Sequence, residues 1–313
     1  MLYNLSMERK NDNIQTLIER VKQKDICVDD EKRLSKYIRN YNFNNAFKPY
    51  LRVFKDCDDK YIKGLTSNHV LNLYDFDKRV GFLFLEAILE LEQILNTNIA
   101  YSTIKQYNLP DGCLFKIDKN KIKREVFNEL KVDYPRIDHE TLISKLTKFC
   151  GLNSKTREYE NFSKNNVYQK WKDCPLDVMC LSWSFSTTVM TFCAVNINVK
   201  SRILDNFRMQ KNDLEFFKKF LKECLFVRNK ISHNDIVFDT KLLDENNEII
   251  RYYDRTFKES KQFITLLDFA RLLDHLTFTD FNLHGNIIEE FKKMQMPKDI
   301  KSFLIKKIET PNE

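Results

Sequence analysis

Glycine and proline are scarce in this 313-residue chain, which has 5 of the first and 6 of the second. That is too few for the turns of an all-β sandwich, and it points to helices. The phosphate-cradling spacings GxGxxG and GxxxxGK[ST] are missing, as is the nucleophile elbow GxSxG. Dinucleotide, P-loop and elbow-hydrolase chemistry therefore have no foothold. The eight cysteines, at 27, 57, 113, 150, 174, 180, 193 and 224, form no CxxC pair and have no His-x3-His nearby. This argues against a zinc knuckle or a disulfide frame, and the expectation is buried thiols in a reducing cytosol, with no metal and no cofactor. Apolar runs stay well short of a membrane span, the longest being broken by Glu86, Glu90 and Glu92, and the opening MLYNLSMERKND has no signal-like apolar core. A cytoplasmic protein without membrane contact is expected.

What the chain does have is apolar bulk and positive charge. Hydrophobic residues make up 42%, with 25 Phe and 13 Tyr, and the formal net charge is +7. The first is ample for a core. The second suits an anionic partner, although a Lys-rich and Asn-rich coding bias would produce it equally well. The excess is uneven: residues 105–172 hold 15 Lys or Arg against 9 Asp or Glu, densest in KIDKNKIKR. Lys116, Lys119, Lys121, Lys123 and Arg124 are thus candidates to bind RNA. Tyr101, Tyr107, Phe115, Tyr134, Tyr159, Phe162, Tyr168 and Trp171 are candidate stacking platforms. The plain alternative is a solvated helical face over aromatic core.

Periodicity predicts helices over 11–23 and 29–40, with Asp29 or Asp30 as cap of the second. The strongest segment steps through Leu73, Phe76, Val80, Phe84, Ala87, Leu91, Ile94 or Leu95, and Ile99 and predicts a central scaffold helix. Further helices are predicted at 119–131, 138–150, through PLDVMCLSWSFSTTVMTFCAV, and at 211–234, 258–277, 280–295 and 298–308. The segment IVFDTKLLDENNEIIRYYD alternates around a turn-like DENN, so a β-hairpin is predicted near 235–255. The expected organisation is an all-α chain of one integrated domain. It would comprise an N-terminal helical segment (1–65), a core (66–234) with the basic insertion 105–172, and a hairpin with C-terminal helices (235–313).

One position breaks the pattern. Leu214, Phe217, Leu221 and Cys224 step by three and four, and the next place on that seam is Arg228. His233 follows five residues later, about 140° round a helix, while Asn229 and His233 share a face. Arg, Asn and His together suit RNA cleavage without metal. The ribose 2′-OH attacks its own phosphate, His moves a proton, and the planar Arg fork neutralises the phosphorane. R-x4-H by itself is weak, since an Arg at that spacing from some His arises by chance in about one such chain in four. The competing account pairs Arg228 with a core carboxylate and leaves His233 as a helix-end cation. Glu92, on the face of Ile88 and Leu95, is the candidate partner.

The sequence VRNKISHND resembles the R-N-x3-H signature of HEPN ribonucleases, and its setting resembles their Abi-like abortive-infection branch. LSKYIRNYNFNNAFKPYLRVF is similar to the branch's Asn- and Tyr-rich lead-in, LYDFDKRVGFLFLEAILELEQIL to its LY-x-FD helix, and LSWSFSTTVMTF to its Ser-Phe-Gly helix. The resemblance implies an all-α HEPN-like bundle, usually dimeric, that cleaves RNA in phage defence. It assigns catalysis to Arg228, Asn229 and His233 and supporting roles to Asp75, Asp77 and Glu92. RNA would be the substrate and, in addition, a regulatory partner as a noncoding RNA. A non-catalytic RNA-binding or sensor protein of the same fold is the alternative. The pattern departs from the branch at Gly81 and Asn96, where Arg is common, and at Ser186, where Gly is usual. Dimerisation also follows from chemistry: one chain supplies one His, whereas 2′-OH attack uses a base and an acid.

Overall fold

The computed structural model describes residues 13–147, 172–238, 240, 242, 247–277 and 281–309. Its organising element is the scaffold helix Ser67–Tyr107, 41 residues and about 60 Å long. Thr66 starts it: its Oγ1 accepts from the His69 N–H, and His69 Nδ1 accepts in return from the Thr66 N–H. Asp29 strengthens the same end, accepting from the Asn68 N–H and the Ser67 hydroxyl at 3.0 and 2.9 Å. Asp30 is the residue that caps Glu31–Tyr41, through the Arg33 N–H at 2.8 Å. The two neighbouring acids thus serve different helices. Asn108, at φ +46°, ends the scaffold helix in a left-handed turn.

Around the scaffold pack Phe185–Ala194, Ile197–Asn206, the signature helix Leu214–Ser232, Leu266–Thr277 and Leu283–Lys293. From the N-terminal side, Glu31–Tyr41 and Lys48–Val53 also touch it. The abundant Phe residues form the joints between these helices. Phe269 meets Phe84 and Phe220, Phe217 meets Phe192 and Phe207, and Phe291 meets Phe76. Each such pair adds about 0.5–1.5 kcal/mol beyond the apolar area it buries. No β-strand occurs among the described residues, and the fold is all-α.

Several expected elements differ. Glu248–Phe257, the expected second arm of the hairpin, is an α-helix. Ile249, Tyr252 and Tyr253 are its buried positions, a three-and-four spacing that the apparent alternation concealed. Tyr252 stacks on Phe216 with centroids 3.7 Å apart, and Arg255 pairs with Asp213, so this helix is fastened to the signature helix. Of the expected first arm, residues 235–238, 240 and 242 are described and form no strand, and 239, 241 and 243–246, with most of the turn, lie outside the described residues. The expected 258–277 helix starts only at Leu266, because Lys258 takes φ +56° and ends the helix before it.

The expected helix at 119–131 is broken into Lys119–Lys121, a wide turn closed by Phe127 N–H to Ile122 C=O at 3.0 Å, and Leu130–Asp133. The wide turn keeps Ile122, Val126 and Phe127 all buried. PLDVMCLSWSFSTTVMTFCAV splits into Leu176–Met179 and Phe185–Ala194, with Ser184 capping the second. The thiols are also not uniformly buried: Cys113, Cys180, Cys193 and Cys224 are, but Cys27 and Cys57 are exposed and Cys174 is half-buried. Cys150 lies outside the described residues. No helix among the described residues is long and apolar enough to cross a membrane.

Candidate active site

The signature helix ends in a turn built by its own sequence. His233 is the last residue near helical geometry, and Asn234 turns left-handed at φ +61°. The Asn234 N–H donates to the Ile231 carbonyl at 3.0 Å and the Asp235 N–H to the Lys230 carbonyl at 2.9 Å. These two bonds form the Schellman arrangement, and Asn tolerates the required backbone better than other side-chain-bearing residues. His233 therefore sits, exposed, on a fixed corner.

The scaffold helix holds that corner from below. Asp77, 1% exposed, accepts from the Val237 N–H at 3.0 Å, from the Phe238 N–H, and from the Tyr50 hydroxyl at 2.7 Å. The next residue, Lys78, donates through Nζ to the carbonyls of Asn234 and Asp235 at 3.1 and 3.5 Å. Gly81 lies where Ile231 and Val237 cross the scaffold, and a Cβ there would meet them at 3.6–3.8 Å, ordinary contact. Burial pushes the Asp77 carboxyl upward against the opposing pull of its three hydrogen-bond donors and Lys78. Asp77 thus lies buried beneath the corner and ties the backbone after it to the scaffold helix. Lys78 and Tyr50 were not singled out from the sequence. Lys78, directly after Asp77 in LYDFDKRV, was the available signal.

Phe217, Leu221 and Cys224 are fully buried and Leu214 partly so, as the seam requires. Arg228 continues the seam into a half-buried position, and its Nε is shielded from solvent without a hydrogen-bond partner. Helical side chains lean toward the N-terminus of their own helix, which directs the guanidinium along the scaffold toward Glu92. Burial raises the Glu92 carboxyl to about 7, opposed only by the attraction of Arg228. At that value the carboxyl is only about half ionised near neutral pH. No ion pair within 4.0 Å joins the two groups among the described residues, so Glu92 faces Arg228 as a partial counter-charge. Asn229 is exposed on the same side as His233.

The remaining expected residues sit elsewhere. Asp75 accepts from Arg33 at 2.9 Å and from the Tyr37 hydroxyl at 2.7 Å, which ties Glu31–Tyr41 to the scaffold. Asn96 is buried and accepts from Thr188 Oγ1 at 2.6 Å, a neutral link to Phe185–Ala194. Ser186 is exposed on that helix.

Of the basic group, Lys116 pairs with Asp111 at 2.6 Å, Lys119 lies 3.8 Å from Glu140, and Lys123 pairs with the same glutamate. Lys121 and Arg124 are exposed. Among the aromatic residues, Tyr101 is 58% exposed, Phe115 is buried, and the Tyr107 hydroxyl donates to the Glu125 carbonyl at 2.6 Å. Tyr134 is half-buried, with its phenol pushed upward by burial. Tyr159, Phe162, Tyr168 and Trp171 lie outside the described residues. No group of three or more His, Cys, Asp or Glu side chains with metal-holding geometry occurs among the described residues.

Compared with known proteins, the family described as Abi-like protein matches residues 36–239. That interval runs from the N-terminal helices through the scaffold to just past the corner that carries His233. No curated protein and no solved structure matches the chain.

Proposed function

The chain belongs to the Abi-like protein family, which is linked to abortive infection, and from that premise we propose that it is an HEPN-type endoribonuclease that cleaves RNA by attack of the 2′-OH. The observation that carries the proposal is the Arg228 guanidinium, buried at Nε without a partner, on the helix end that exposes Asn229 and His233. A structural arginine would have its buried nitrogen bonded. A phosphate oxygen is the acceptor whose charge and geometry suit a guanidinium.

In the proposed reaction the 2′-oxygen bonds to phosphorus while the bond from phosphorus to the 5′-oxygen breaks. One imidazole takes the 2′ proton, and an imidazolium supplies a proton to the departing 5′-oxygen. The products carry a 2′,3′-cyclic phosphate and a 5′-hydroxyl. Arg228 stabilises the charge gathered on the phosphorane, and Asn229 holds a phosphate oxygen or orients the imidazole. The chemistry needs no metal and no cofactor.

One chain offers one such His, so we place the working site at a two-fold between copies. Three exposed apolar residues favour this: Phe226 on the signature helix, 43% exposed, and Phe82 and Leu89 on the scaffold, 68% and 43% exposed. Lys78, Phe82, Leu85, Leu89 and Glu92 step by three and four along the scaffold stripe that begins beside the His233 corner. Lys121 and Arg124 are the cations left to hold RNA outside the cleft, whether substrate or regulatory RNA. The same proposal has the chain act in the cytoplasm, organised in three parts that meet at about 65 and 234.

The test is incubation of purified protein with total RNA in EDTA, followed by mapping of fragment ends. Cyclic phosphate ends that vanish in Arg228→Ala and His233→Ala protein of unchanged circular dichroism would support the reading. Intact RNA with the unaltered protein, under conditions where it is dimeric, would overturn it.

A further inference from the structure

A groove of about 250 Å³ opens beside the His233 corner. Its walls are the short helix Phe43–Ala46 on one side and the turn from Lys230 to Ile236 on the other. Asn44, Asn45, Lys230 and Asp235 are among its polar lining residues, and Pro49 and Ile236 are its apolar ones. The carboxamides of Asn44 and Asn45 and the carboxylate of Asp235 form no side-chain hydrogen bond with one another or with any described residue. Lys230 makes no ion pair among the described residues, its Nζ lying 5.5 Å from the Phe226 ring centroid. The backbone on both walls is fixed. The Asp235 carbonyl is held by Lys78, and the Asn45 N–H bonds to the Asn42 carbonyl at 3.1 Å.

We infer that this groove is a base-recognition subsite for an unpaired guanine next to the cleaved bond. The inference rests on the ribonuclease reading above and deepens it. Lys230, three residues before His233, and Asn234, the residue after it, line the same groove, so it adjoins the His233 corner and a base next to a phosphate held there would enter it. The groove is sized for one heterocycle rather than for a folded partner or a helix. Its polar set combines a carboxylate acceptor, a cationic donor and two amides that both donate and accept.

Guanine complements that set. Its N1–H and N2–H present two adjacent donors to Asp235, and its O6 and N7 accept from Lys230 or an amide. Adenine and uracil offer a carboxylate no such adjacent donor pair. Cytosine offers one exocyclic amine, a weaker match. Proline gives the flat apolar contact on which a base face rests.

The test uses His233→Ala protein, which holds RNA without cutting it, and single-stranded RNA decamers that differ at one central base. Fluorescence anisotropy should give binding of the guanine decamer about 10-fold tighter than the adenine or uracil decamers. Asp235→Asn and, separately, Asn45→Ala should bring that ratio close to 1. In parallel, fragment ends from the unaltered enzyme on total RNA should be enriched in guanine at one position beside the cut, and Asp235→Asn should erase the enrichment. RNA that is cut with no base enrichment, or with enrichment that both variants leave intact, overturns the subsite and leaves the ribonuclease reading standing. RNA that is bound with guanine preference but never cut supports the subsite and sinks the catalytic reading instead.

Discussion

Asp77 is the side chain on which the geometry of the candidate site depends, and its removal has a size that follows from its partners. The carboxylate accepts from three buried donors, the Val237 and Phe238 N–H groups and the Tyr50 hydroxyl. Asp77→Ala leaves all three without an acceptor, and each orphaned buried donor costs about 1–3 kcal/mol. Relief of the carboxylate's own burial offsets part of that sum. The net expected loss is about 3–4 kcal/mol, from the low half of the range for each donor.

Asp77→Asn keeps the shape and one acceptor oxygen but turns an N–H toward a donor, so about 1–2 kcal/mol should go. Tyr50→Phe leaves the carboxylate with both backbone bonds and should cost about 1 kcal/mol. Urea unfolding at pH 7, read by fluorescence and circular dichroism together, gives the three differences. Ordering is the essential outcome: Ala worst, Asn intermediate, Phe at position 50 mildest. A loss below about 1 kcal/mol for Asp77→Ala, or a Tyr50→Phe loss equal to it, would refute the view that this carboxylate anchors the His233 corner.

Glu92 gives a pH dependence of definite sign. Its folded value of about 7 lies above the ordinary 4.5, so its contribution is fully present below about pH 4.5 and is lost as pH rises through about 7. Fully shielded, the rise would amount to about 3 kcal/mol, and solvent reaching the side chain reduces this to about 1 kcal/mol. Glu92→Gln should therefore flatten the fall in stability between pH 5 and pH 8, and an unchanged slope would remove Glu92 from the account. Lys121→Glu with Arg124→Glu should lower the slope of log binding against log salt by about 1–2 for single-stranded RNA, measured by filter binding. An unaltered slope moves the RNA path off this surface. Phe82→Glu should shift a dimer to monomer in light scattering and abolish cleavage together, and an active monomer would show that one chain suffices.

The sequence disclosed what repeats and concealed what depends on single contacts. The scaffold was readable because Leu73, Phe76, Val80, Phe84, Ala87, Leu91 and Ile99 keep one rhythm, and the structure buries every one of them. Its true ends at Ser67 and Tyr107 were less legible, since they are set by Thr66 with His69 and by Asn108 rather than by periodicity. The segment 248–257 misled because EIIRYYD fits both periods, and only the stack of Tyr252 on Phe216 decides between them. Asp75 and Asp77 stand two residues apart on one helix, and spacing cannot say that the first faces Arg33 while the second reaches the backbone beyond the signature helix. The basic run 116–124 read as a cationic surface, but Asp111 and Glu140 take up three of its cations. Charge counted along a chain ignores partners that the fold brings in from elsewhere.

Arg228 shows how the two levels meet. On an apolar seam a cation is tolerable beside a carboxylate, a phosphate or water. The carboxylate within electrostatic reach, Glu92, has been driven by burial to about 7, so near neutral pH it supplies only about half a counter-charge. A fully ionised glutamate in bonded contact would hold the guanidinium in a closed pair, and a phosphate would then have to break that pair in order to bind. A neutral glutamine would leave the cation with nothing to offset its burial in the absence of RNA. A half-ionised carboxyl lies between these cases, keeping the arginine folded into place while leaving its buried Nε for another acceptor. Protonation of Glu92 as phosphate arrives would strengthen the attraction of Arg228 for the anion. On this argument proton uptake accompanies RNA binding between pH 6 and 8 and disappears in Glu92→Gln. Calorimetry of His233→Ala protein in two buffers of different ionisation enthalpy measures that uptake directly, and its absence would return Arg228 to the role of an ordinary core-edge cation.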